Sequence, residues 1–254
     1  MKHTKLFVFI SFIITLSGCT AYRYATEEDN VIGEVNLRAS GELLWDYPEM
    51  NGPGIFNSIK ELIDACQMPS NILASISTED LAEICLKYPL LFSFTAFDNW
   101  NYGLDVQFEN FNGLRELFKR EGVSNELLKL YSEKLLKLNE SNNPDGFIIE
   151  LMNHEMLLSR LYDCNHLTND DYLEVLRQLV FGYESKLMYP ETFGSISFST
   201  NFLARAYILE KMNPKCIVDN IEMGQNSFVF GGLPDQNAWA LIDELSYRLI
   251  STSL

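Results

Sequence analysis

The chain has 254 residues, 47% of them apolar, enough for one sizeable hydrophobic core. Its 19 Lys and Arg stand against 35 Asp and Glu, a net charge of −16. A surface this acidic repels phosphate backbones, which excludes nucleic acid as a partner, and it gives the body no attraction to anionic headgroups.

The chain begins Met1-Lys2-His3-Thr4-Lys5 and continues with an apolar run from Leu6 to Leu16, then Ser17-Gly18-Cys19. A basic start, a short apolar stretch and small residues before a cut are the three parts of an export signal. From Leu6 to Gly18 is 13 residues, about 20 Å of helix at ~1.5 Å per residue. A hydrocarbon core of about 30 Å needs around 20 residues, so this run is too short to serve as a permanent span.

Leu16-Ser17-Gly18-Cys19 resembles the lipobox of bacterial lipoproteins: Leu, a small residue, Gly or Ala, then Cys. The resemblance implies that the Cys19 sulfur takes a diacylglyceryl group, that a peptidase cuts between Gly18 and Cys19, and that the freed amine is acylated. Two or more acyl chains hold a protein stably to a bilayer where one holds it marginally. The expected partner is therefore the membrane, reached through lipid on Cys19. Thr20 is not the Asp that retains many such proteins at the inner membrane, which favours the outer membrane and leaves its two faces open. Cleavage would leave 17 basic against 35 acidic residues, a net −18. The resulting plan is a signal over 1–18, a lipidated Cys and tether over 19–40, and a single α-helical domain over 41–254.

Residues 20–40 read as tether and irregular chain. Trp45-Asp46-Tyr47-Pro48-Glu49-Met50-Asn51-Gly52-Pro53-Gly54 is turn-rich. Ile59, Leu62, Ile63 and Cys66 then recur at helical intervals. Ser77-Thr78-Glu79-Asp80 resembles a capping box, followed by Leu81, Ile84, Cys85 and Tyr88 on one face, with Pro89 as the stop. Phe111, Leu114, Leu117 and Phe118 predict a helix ending near Gly122. Leu127, Leu128, Tyr131, Leu135 and Leu138 predict another, entered at Ser124. Beyond the polar loop 139–146 lies an apolar segment from Phe147 to Tyr162. Thr168-Asn169-Asp170-Asp171 is a second capping box, with Tyr172, Val175, Leu176, Leu179, Val180 and Tyr183 behind it. Two further helices fit Asn201–Met212 and Gln236–Ile250. Strand signals are sparse, the best being Ser227–Phe230. Consecutive helices on short loops predict an all-α fold, a helical bundle or a helical-hairpin (solenoid-like) domain. Tyr-Pro-x-x-Phe at Tyr88 and again at Tyr189 is a faint echo of a repeat.

The stretch from Ser77 to Leu117 is also similar to a group of uncharacterised exported bacterial lipoproteins, which implies location and no mechanism. Within it, residues 92–111 interleave seven aromatic rings with acids and amides, among them Asp98, Trp100, Tyr102 and Asp105. Flat rings beside fixed carboxylates suit a glycan, or a protein ligand, as well as they suit a helix-pair core. The Asp98–Tyr102 segment is turn-like, so Trp100 is the ring least committed to a helix face. Trp45 and Asp46 form a second aromatic–acid cluster. A pair of such carboxylates, about 5–9.5 Å apart, is what glycoside hydrolysis requires. The expected activity is a binding or interaction module at the cell envelope, and the alternative is a glycan-acting hydrolase.

His154-Glu155 begins a zincin helix, but Leu158 stands where the second His belongs. Cys164 and His166 lack further ligands. No phosphate loop, dinucleotide fingerprint or nucleophile elbow is present. No catalytic residue, metal site or cofactor is assigned. Cys66, Cys85, Cys164 and Cys216 show no Cys-x-x-Cys pairing, and an oxidising compartment would permit bridges without fixing the pairs.

Overall fold

The computed structural model describes residues 21–23, 34–37, 43–48, 56–212 and 236–253. Gly18, Cys19, Cys216 and the expected strand at 227–230 lie outside them. The chain divides into two compact units, Met1–Ile76 and Ser77–Leu254.

In the first unit, β1 (Ala21–Arg23), β2 (Glu34–Leu37) and β3 (Leu43–Asp46) form an antiparallel sheet in the order β1-β2-β3. Val35 lies opposite both Tyr22 and Trp45. The sheet corrects the expectation of irregular chain over residues 20–40: three- and four-residue strands are too short to display an alternating pattern. Two short helices follow, α1 (Ile59–Ala65), capped by the Ser58 hydroxyl, and α2 (Ser70–Ser75), which meets β3.

The second unit is all-α, in keeping with the expected fold class. Its helices are α3 (Thr78–Leu86), α4 (Trp100–Asn110), α5 (Asn112–Leu117), α6 (Val123–Asn139), α7 (Ile148–Ser159), α8 (Asn169–Leu187), α9 (Pro190–Met212) and α10 (Gln236–Thr252). Single 3₁₀ segments over Leu91–Ala96, Pro144–Phe147 and Arg160–Asp163 join them. Both capping signals act where the sequence puts them. The Ser77 hydroxyl accepts from the Asp80 backbone N–H at 3.0 Å, and Thr168 and Asp171 cap each other's backbone at the start of α8. Gly122, at φ 83, takes the left-handed conformation that opens α6.

Four helices close a ring: α6 packs on α7, α7 on α9, α9 on α8, and α8 back on α6. Helix α7 is buried at every position from Leu151 to Ser159, which makes it the innermost element. Helix α10 lies against α8 and α9, while α3 packs on α5 and α6. Gly194, at φ 55 and ψ −178, bends α9 near its start and lets Ile196, Ser197 and Phe198 continue as helix. No helix among the described residues is long and apolar enough to cross a membrane.

Candidate functional site

Of the turn expected over Asp98–Tyr102, only the first part is a bend: helix begins at Trp100. The Asn99 side chain accepts from the Tyr102 backbone N–H at 3.1 Å, and this cap makes Trp100 the first residue of α4. The correction has a local cause: Asn before a helix reads as turn chemistry because capping uses the same side-chain acceptor. Trp100 is half-buried and meets the fully buried Phe94 edge-on at 5.7 Å. Tyr102 is 60% exposed, its ring edge-on to Phe97 at 5.8 Å, and Asp98 is exposed nearby in sequence.

Asp105 is drawn into a clamp around Arg160. Its carboxylate meets the guanidinium at 2.7 Å, while Asp163 holds the same group at 2.9 Å and the Asn101 side-chain Oδ1 accepts from it at 3.2 Å. The guanidinium carbon also sits 5.1 Å from the centre of the Phe108 ring. Arg160 thus ties α4 to the segment after α7, and Asp105 serves an ion pair rather than standing free beside a second acid.

The Trp45–Asp46 cluster resolves differently. Trp45 is 2% exposed, and its indole N–H has no hydrogen-bond partner among the described residues. It therefore offers no open face for a ligand, and its assignment as a stacking ring is corrected to a buried ring. Asp46, the next residue of β3, is exposed.

The densest polar constellation lies inside the four-helix ring, at Glu155, which is wholly buried. Its carboxylate takes a donor from each of the three surrounding helices. Oε1 accepts from the Tyr131 hydroxyl of α6 at 2.9 Å and from the Asn201 amide of α9 at 3.0 Å. Oε2 accepts from the Lys186 ammonium of α8 at 2.7 Å and from the Thr200 hydroxyl. Lys186 Nζ also donates to the Ser197 carbonyl at 2.8 Å and lies 5.7 Å from the Phe193 ring centre. Burial pushes the Lys186 pKa down, and Glu155 pulls it part of the way back. Burial raises the Tyr131 hydroxyl well above its ordinary value, with Glu155 adding to the effect.

Bundle cores are where helical proteins build polar sites from facing side chains. Here every acceptor position on the carboxylate is occupied by the protein's own donors, so the arrangement fixes the helices rather than exposing a reactive group. Removing one partner of a buried pair costs about 3–5 kcal/mol, whereas apolar replacement of both is often neutral. The signal in the sequence was Glu155 itself, the one acid in the segment Leu151-Met152-Asn153-His154-Glu155-Met156-Leu157-Leu158.

Among the described residues no group of three or more His, Cys, Asp or Glu is placed to hold a metal ion. Cys66, Cys85 and Cys164 are free and buried. Burial pushes the Cys66 thiol up to about 12 and the Cys164 thiol to about 11, and raises Cys85 well above its ordinary value. His166 is exposed just ahead of the α8 cap, where its charge helps hold the Asp171 carboxyl low, after the larger effect of the Thr168 hydrogen bonds. Comparison of the chain with family models, with curated proteins and with solved structures returns no match.

Proposed function

We propose that the protein is a lipid-anchored, exported bacterial lipoprotein that acts as a binding module at the cell envelope, with the outer membrane as its site and a glycan or a protein as its ligand. The address rests on Leu16-Ser17-Gly18-Cys19. The binding role rests on one observation: Tyr102 keeps 60% of its surface open on α4. Trp100 stands two residues before it, with Asp98 and Asn101 interleaved. A large exposed ring flanked by polar groups is the usual make-up of a recognition surface. The fully occupied Glu155 carboxylate and the clamped Asp105 favour binding over glycan hydrolysis, which needs two carboxyl groups facing one bond.

Two experiments test the reading. Replacing Cys19 with Ala should abolish incorporation of a fatty-acid analogue and release the protein from the membrane fraction; label retained on the variant overturns the anchor. For the surface, Tyr102→Ala and Trp100→Ala should weaken co-sedimentation of the protein with purified peptidoglycan or with solubilised envelope proteins. Tyr102→Ala should leave stability within about 0.5 kcal/mol of wild type. Phe111→Ala is the control for core loss, at about 3–5 kcal/mol, because Phe111 is wholly buried and stacked on Tyr88 at 4.5 Å. A melting-temperature drop for Trp100→Ala as large as that for Phe111→Ala makes Trp100 a core residue and removes it from the surface.

A further inference from the structure

The cluster inside the four-helix ring holds an amine, a primary amide and the carboxylate that touches both. Lys186 of α8 and Asn201 of α9 are wholly buried, and they meet different oxygens of Glu155 of α7. Lys186 Nζ lies 2.7 Å from Oε2, and Asn201 Nδ2 lies 3.0 Å from Oε1. Stability alone does not call for these residues. A buried ion pair is often no more stable than apolar side chains of similar volume, and an amide adds further polar atoms to be met. Asn201 Nδ2 also donates to the Leu179 carbonyl at 2.8 Å, so two acceptors on the nitrogen fix which way the amide faces. Its Oδ1 has no hydrogen-bond partner among the described residues.

A lysine attacks a carbonyl carbon only as the free amine. Burial pushes Lys186 towards that form, and Glu155 opposes it. Arg205 of α9, itself buried and paired with Asp243 of α10 at 2.6 Å, adds a smaller push in the same direction as burial. An acid in contact with both the attacking and the leaving nitrogen can pass protons between them. Water, the competing nucleophile, is kept out, since Tyr131, Glu155, Lys186, Thr200 and Asn201 are all wholly buried. The folded helices hold amine and amide on one carboxylate, which makes their encounter intramolecular.

We propose that Lys186 and Asn201 join in an amide cross-link between α8 and α9, with Glu155 carrying the protons. Glu155 Oε2 takes one proton from the Lys186 ammonium, and the freed electron pair on Nζ attacks Asn201 Cγ. For this Nζ swings away from the Ser197 carbonyl to come within about 3–3.5 Å of the carbon. The Nζ–Cγ bond forms and the Cγ–Nδ2 bond breaks, its electron pair leaving with Nδ2. Glu155 relays both protons from Nζ to Nδ2, which departs as ammonium, and the acid ends as the carboxylate it was at the start. Nothing is oxidised or reduced, and no further reactant is consumed.

The purified full chain, denatured and digested with trypsin, tests this. Without the cross-link the chain is cut after Arg177, Lys186 and Arg205, giving two peptides, 178–186 and 187–205. With it the Lys186 amine is spent, that cut is lost, and one peptide, 178–205, should appear about 17 Da lighter than its sequence, the mass of ammonia. Tandem fragmentation should show Lys186 and Asn201 joined side chain to side chain. Asn201→Ala should restore the cut at Lys186; if that variant does not fold, the wild-type digest decides alone. Peptides 178–186 and 187–205 at their sequence masses overturn the proposal, as does a missed cut that persists in Asn201→Ala. Ammonia lost from 187–205 alone, which is closure of Asn201 on its own backbone, or a link from Lys186 to the peptide carrying Glu155 overturns it as well.

Discussion

His154 precedes Glu155 in the chain yet stays outside its hydrogen-bond circle. Its Nδ1 lies 2.7 Å from the Glu150 carbonyl, one turn back on α7, so Nδ1–H donates along the helix and the ring is held neutral. Burial drives its pKa down to about 4, with the Glu150 carbonyl opposing and Lys134 assisting. The unfolded chain protonates near 6.5, well before the folded one. Between those values the unfolded state binds more protons, so stability falls as pH drops from about 6.5 to 4. The loss attributable to this ring is about 3 kcal/mol at most. His154→Gln should flatten that part of the profile, read as the difference in urea-unfolding free energy between pH 7 and pH 4.5 for variant and wild type. Equal slopes would mean that the ring is more open to solvent than its packing implies.

At the scale of elements, Gly182 lets α8 approach α6. A Cβ built at Gly182 would overlap the Tyr131 hydroxyl, the group that donates to Glu155. Gly182→Ala gains about 1 kcal/mol of helix propensity. It must also displace a buried ring and break a charge-assisted hydrogen bond. The second effect is larger, and a net destabilisation of about 1–3 kcal/mol is expected. Thermal unfolding measures it; a stabilised Gly182→Ala would show that Tyr131 swings aside freely.

The same elements show what was legible beforehand. The starts of α3 and α8 were readable because a cap is local chemistry: one hydroxyl, one backbone N–H, three residues apart. Helix α6 was readable because its Leu and Tyr positions repeat on one face. Helix α9 was only half seen, because nearly all its residues from Ser197 to Leu209 are buried and Ser199, Thr200, Asn201 and Arg205 interrupt the apolar stripe. Its polar positions satisfy partners on other helices, and no spacing within one helix announces that. The aromatic stretch gave its exposed member, Tyr102, no mark to separate it from buried Phe94 and Phe111; only packing sorts rings of like kind.

For the whole molecule, the division after Ile76 falls at the residue that caps α3. All four helices of the ring lie beyond it, with every donor to Glu155 and both halves of the Arg205–Asp243 pair. A chain of residues 77–254 should accordingly fold by itself, with a helix-dominated far-UV circular dichroism spectrum and one cooperative melt. A broad, uncooperative melt would assign part of the core to the residues before Ser77.

The three interior thiols carry a kinetic consequence. At pH 7 a thiol titrating near 12 holds roughly one thiolate in 10⁵, and one near 11 roughly one in 10⁴. Oxidants and alkylating reagents act on the thiolate, so Cys66 and Cys164 are chemically silent while the chain stays closed, and Cys85 with them. For the export proposed above, an oxidising compartment poses a question of timing: a chain that closes first keeps these sulfurs out of the exchange of disulfides, and one that lingers open does not. Each sulfur thereby becomes a clock, its rate of alkylation in the native protein reporting how often the helices around it part.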